Sequence, residues 1–169
     1  MASAAGRVFY HLKEKNLFAM TTKTRNALIA GLAGAVVVTI LNETARRYDD
    51  DAPRLEKLGM DAANKLFDKA DQPAPTGEKL YWGTMVADLI MNGLYYAGAA
   101  SGNAKAVKTT GMGLLAGLGS LFLPKKLGLV TAPTTRTTKT KVMSTAYYLL
   151  GSWVAGMVAQ TLNNKKLFR

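Results

Sequence analysis

Four long apolar runs dominate this chain, and they leave few folds open to it. They cover about 27–45, 80–103, 109–124 and 142–164. A helix needs about 17–25 predominantly apolar residues to cross a bilayer. The second and fourth runs meet that length. The first meets it if Glu43 is tolerated near its end, and the third is short enough to be a re-entrant or buried segment instead. A water-soluble helical protein would carry narrower apolar stripes. The runs therefore predict an all-α integral membrane bundle of four transmembrane helices occupying residues 27–169, preceded by an interfacial N-terminal segment over 1–26. Met20 offers an alternative start, and the first run is read as a retained helix because no small-residue cleavage site follows it.

Small residues recur along every run. Gly31 and Ala35 lie on one helical face of the first. Gly93, Ala97 and Ser101, and likewise Gly98 and Gly102, do so in the second, Gly113 and Gly117 in the third, and Gly151, Ala155 and the neighbouring Gly156 in the fourth. Residues four apart share a face, and in lipid a small-residue face lets two helix backbones approach closely. These positions are the expected helix-packing sites.

The connections carry the charge. After Asp49, Asp50 and Asp51, residues 52–70 place Leu55, Leu58, Ala62, Leu66 and Ala70 at helical spacing with charges on other faces. That pattern predicts an amphipathic interfacial helix between spans one and two, with an aspartate as its cap. It would lie on the membrane or dock on a partner. Residues 125–141 contain Lys125, Lys126, Arg136, Lys139 and Lys141 and no acid. Their Pro, Gly and Thr content predicts an irregular loop, one able to bind lipid phosphate or an acidic partner. The net charge of +11 flanks apolar runs, which fits anionic headgroups rather than nucleic acid. About ten Lys and Arg fall on one side of a four-span topology and about twelve on the other, so the positive-inside rule leaves orientation open.

Polar residues inside the runs are the candidate site. Glu43 closes the first run beside Asn42 and one turn before Arg46 and Arg47, while Asp88 and Asn92 sit one turn apart in the second. Antiparallel spans bring both carboxylates into the same half of the membrane. An ionisable group there needs a partner or a task. Two readings stay open. Asp88 takes an arginine and the cluster locks two helices, or Glu43 and Asp88 form a protonatable or cation-binding pair lining a pathway. Gln160 and the pairs Tyr95–Tyr96 and Tyr147–Tyr148 are possible further lining. No cysteine and a single histidine, His11, exclude thiol chemistry and multi-histidine metal sites. No catalytic set, phosphate loop or metal cluster is found, so no enzyme, cofactor or metal is expected. The expected partners are the lipid bilayer and either other membrane-protein subunits or a second copy of this chain.

The stretches "NETARRYDDDAPRLEKLGM" (42–60) and "LPKKLGLVTAPTTRTTKT" (123–140) resemble connecting segments of small four-span bacterial membrane proteins that carry no assigned function. The resemblance implies a bacterial inner membrane and supplies no functional residue. The function expected is that of a structural or accessory subunit, the alternative being a small ion- or proton-coupled transporter or channel.

Overall fold

The computed structural model describes residues 20–102 and 105–164. The N-terminal interfacial segment up to residue 19, with His11, lies outside them. The described residues are all-α: α1 (Thr22–Tyr48), α2 (Leu55–Lys69), α3 (Gly77–Ala100), α4 (Ala106–Lys126), α5 (Ala132–Thr135) and α6 (Thr138–Asn163). Local chemistry sets several ends. The Thr21 hydroxyl accepts from Thr24 N at 3.1 Å and caps α1. Thr137 and Thr140 bond reciprocally to start α6. Gly102, at φ +67, turns the chain beyond α3. The helix after the aspartates starts later than expected. Its N-cap is Arg54 and no side chain caps it, because the aspartates are used elsewhere.

The four long helices alternate in direction. α1 lies between α3 and α6, α4 packs on the other flank of α6, and α3 also touches α6. The interior is made of small side chains. Ala30, Ala35, Ala99, Ala155 and Ala159 are fully buried, joined by Val38 and Tyr96. The large aliphatics point outward instead: Leu32, Ile40, Val86, Ile90, Leu115 and Phe122 are all exposed.

Three helices, α1, α4 and α6, are long and apolar enough to cross a membrane. The sequence predicted four. α4 is longer than its apolar run, at 21 residues, and so has the length that the run by itself lacks. α3 has 24 residues, about 36 Å, so length is not its shortfall. Asp88, Asn92 and the polar rings of Tyr81, Tyr95 and Tyr96 lower its hydropathy.

The backbones meet at glycines. A Cβ on Gly31 would overlap Gly93 O and Ala97 N of α3, and one on Gly34 would overlap Gly151 O of α6. Gly113 and Gly117 admit α6 at Leu149 Cα (2.8 Å) and Thr145 Cα (2.7 Å). Gly156 leaves room for Thr109, whose Cγ2 would lie 2.6 Å from an added Cβ. Gly31, Ala35, Gly113, Gly117, Gly151, Ala155 and Gly156 thus stand where packing needs them. Gly98 and Gly102 do not: nothing lies within 4 Å of a Cβ on either. Gly93 and Ala97, on an adjacent face of α3, make the contact with α1.

Hydrogen bonds add cross-links of about 0.6 kcal/mol each on average within membranes. Tyr96 Oη donates to Tyr148 O at 3.0 Å, Tyr95 Oη to Met112 O at 2.7 Å and Ser152 Oγ to Thr109 O at 2.7 Å. Pro124, near the end of α4, has no N–H to give Ser120 O. The hydroxyl of buried Thr134 takes that acceptor at 3.0 Å and so seats α5 against α4.

Candidate functional site

At the end of the bundle where α1 finishes, α2 folds across α3. Glu43 and Arg46 pair along α1, Nη2 to Oε2 at 2.5 Å. The same guanidinium donates to Tyr81 Oη of α3 (3.1 Å) and lies 3.9 Å from Glu56 Oε1 of α2. Tyr81 Oη donates in turn to Glu43 Oε2 at 3.2 Å. One arginine therefore joins three helices. Beside it is a cavity of about 20 Å³ lined by Asn42, Glu43, Glu56, Thr84 and Asp88, with Val38, Leu55, Gly59 and Met85 as its main apolar wall.

The structure brings Glu43 and Asp88 to one cavity, as antiparallel spans require. It departs from the expected pairing. Neither arginine forms an ion pair with Asp88: Arg46 faces Glu43 and Glu56, and Arg47 is exposed. Asn92 does not line the cavity and stays beside Asp88, one turn away on α3. The tyrosine pairs and Gln160 do not line the cavity either, though Tyr96 and Tyr148 stand near Asp88. Tyr95 and Tyr96 bind α4 and α6, and Gln160 is near the end of α6 that meets Asn26. Glu56 and Tyr81 are the members that sequence reasoning missed. Glu56 reads as the solvated face of an amphipathic helix, and only the fold of α2 over the bundle end buries it. The aromatic Tyr81–Trp82 pair opening α3 is the one sequence signal for Tyr81.

The basic segment 125–141 is mostly helical rather than an irregular loop. Lys125 and Lys126 form the last turn of α4, where cations suit the helix dipole. Lys139 and Lys141 lie in the first turn of α6, and Arg136 stands between α5 and α6. Two of the five cations are already used. Lys139 Nζ is 2.7 Å from Asp49 Oδ2, and Arg136 Nη2 is 3.7 Å from Asp51 Oδ1. Thr140 Oγ1 donates to Asp51 O at 2.7 Å and Arg54 N to Pro133 O at 2.8 Å. The aspartate run that ends the first helix therefore clamps the start of the last one. α2 joins the same clamp. Asp61 Oδ2 accepts from Val130 N at 2.8 Å, and Lys65 donates to Gly128 O. Among the described residues Lys125, Lys126 and Lys141 are exposed and have no acidic partner.

The Lys139 ammonium, and secondly the Asp51 N–H at 2.9 Å, hold the Asp49 carboxyl below its ordinary 3.8. A carboxyl lowered on folding stabilises above its unfolded pKa and loses that contribution as pH falls through the folded one. The clamp is therefore intact above about pH 4 and loosens below it. A carbon-detected titration of Asp49 should give a midpoint under 3.8, and Lys139→Met should return it toward that value. A wild-type midpoint at or above 3.8 would contradict the clamp.

No protein-family model, curated protein or solved structure matches this chain.

Proposed function

We propose that this chain is a four-pass integral membrane protein of the bacterial inner membrane and acts as a non-enzymatic structural or accessory subunit. The observation that carries the reading is the arrangement of side chains by size. Alanine, glycine and serine fill the interior while leucine, isoleucine and phenylalanine cover the outside. Water would drive the large apolar residues inward; hydrocarbon makes no such demand and rewards close backbone contact. α3 is the fourth span in this reading. Its outer face carries Val86, Ile90, Met91 and Leu94, and its carboxylate lines the internal cavity. The unpaired Lys125, Lys126 and Lys141 meet anionic headgroups, each worth about 1 kcal/mol near such a surface.

Leu115, 66% exposed near the middle of α4, gives the test. Leu115→Arg costs about 2.5–3.5 kcal/mol if that face meets hydrocarbon, and membrane-fraction yield drops severalfold. If the face meets water the variant is neutral or better dissolved, and the reading fails. For the accessory role, purification in mild detergent should recover another membrane protein or a homo-oligomer, with no ion flux in liposomes.

A second reading, a small ion- or proton-coupled transporter, is favoured by one observation: Glu43 and Asp88 share a cavity. Proton or cation flux that Asp88→Asn abolishes, in a variant that still folds, would replace the accessory role with this one.

A further inference from the structure

A groove of about 230 Å³ opens where the start of α2 meets α5 and the start of α6. Arg54, Lys57 and Arg136 line it, and no carboxylate does. Its floor is fixed. Ala52 and Thr140, also in the lining, are 2% and 1% exposed. Thr140 Oγ1 donates to Asp51 O at 2.7 Å, and Arg54 N to Pro133 O at 2.8 Å. The cations above that floor are uncommitted. Among the described residues the Arg54 and Lys57 side chains have neither an acidic partner nor a hydrogen bond. Arg136 Nη2 stands 3.7 Å from Asp51 Oδ1, beyond hydrogen-bond reach, so its donors are open as well. The acids of α2 are taken elsewhere: Glu56 faces Arg46, and Asp61 accepts from Val130 N and pairs with Lys65. A hollow lined by one sign of charge concentrates the opposite ion. Three lining cations less the Asp51 carboxylate leave about two positive charges to balance. A phosphodiester brings one negative charge, whereas a phosphomonoester brings close to two at neutral pH and above. Two guanidinium forks match its oxygens, and a lysine adds a point charge. The volume is several times the roughly 30 Å³ that one water takes up in the liquid, room for such a group and part of its ester.

We propose that this groove binds a phosphomonoester group, carried by a lipid headgroup or free in solution, with Arg54 and Arg136 on its oxygens and Lys57 completing the charge. The lipid source rests on the membrane reading above, which sets this end of the bundle among headgroups; the phosphate chemistry does not rest on it. Bound there, the group bridges α2 and the start of α6.

The test is calorimetric titration of the full chain in non-ionic detergent at about pH 8, where a monoester is close to doubly charged, with chloride holding the ionic strength constant. The probes are inorganic phosphate, and phosphatidate or phosphatidylglycerol in micelles of the same detergent. Saturable binding of phosphatidate but not of phosphate supports the lipid source. Binding of phosphate but not of phosphatidate supports the free ion, and binding of both supports a groove open to either. In each case Arg54→Gln and Arg136→Gln weaken binding by about tenfold or more, while Lys125→Gln combined with Lys126→Gln leaves it unchanged. If Arg136→Gln does not fold for want of its Asp51 contact, Arg54→Gln still locates the site, because that side chain holds nothing among the described residues. The proposal is overturned if no probe binds saturably, if phosphatidylglycerol binds as tightly as phosphatidate, if the arginine variants retain binding, or if the Lys125 and Lys126 variant loses it equally. Leu115→Arg tests the membrane reading on α4, so loss of that reading is distinguishable from loss of the site.

Discussion

Gly151→Leu is expected to pry α6 from α1 and destabilise the folded bundle in detergent. A Cβ at this position would lie 2.5 Å from Val38 Cγ2, 2.9 Å from Gly34 O and 3.0 Å from Tyr96 Oη. None of the three can yield. Val38 and Tyr96 are fully buried, Tyr96 is fixed by its bond to Tyr148 O, and Gly34 O is backbone. Overpacking costs about 1–3 kcal/mol where neighbours can adjust, and more where they cannot. At the upper figure the melting midpoint falls by about 10 °C. Gly98→Leu is the matched control, since an added Cβ there meets nothing within 4 Å. Circular dichroism melts and size-exclusion profiles of the two variants make the comparison. Equal behaviour would mean that the α1–α6 contact is not as close as described.

The second large effect falls on Arg46. Arg46→Met removes the only cation that, among the described residues, pairs with Glu43 and Glu56. Breaking a buried pair from one side costs about 3–5 kcal/mol. Arg46 and Glu43 keep 24% and 19% exposure, so solvent screens part of the loss and about 2 kcal/mol is the reasonable expectation. The cost should shrink in Arg46→Met combined with Glu43→Gln and Glu56→Gln, because the stranded charges are gone. A single variant as stable as the wild type, or a triple variant no better than the single, would show that the guanidinium does not hold the three helices together.

Much of this was legible in the sequence, for definite reasons. Spacing of four locates residues on one helical face, so the Gly31–Ala35, Gly113–Gly117 and Gly151–Ala155 pairs could be read directly. Spacing does not say which face meets a neighbour. Gly98 and Gly102 have the same spacing as Gly93 and Ala97, yet only the latter meet α1. Gly34 escaped notice because α1 is central and uses two faces: Gly31 serves α3 and Gly34 serves α6. The limit at the cavity is similar. Glu43 and Asp88 could be placed in the same half of the bundle by counting residues. Glu56 could not, because its role depends on a fold of α2 that pairs positions far apart in the chain, Asp61 with Val130 and Arg54 with Pro133. The same long-range contacts turned an expected free basic loop into the partner of the aspartates.

The placement of α1 between α3 and α6 bears on biogenesis. The Gly31 crossing with α3 involves only residues up to about 100, so the first pair of helices can close while the rest of the chain is still on the ribosome. α3 and α4 touch mainly near their junction, through Tyr95 and Lys108, so α4 gains little until α6 emerges to cover Gly113 and Gly117. The Gly34–Gly151 crossing then joins two preformed halves, and the aspartate clamp on Lys139 and Arg136 becomes available only at that last step of maturation.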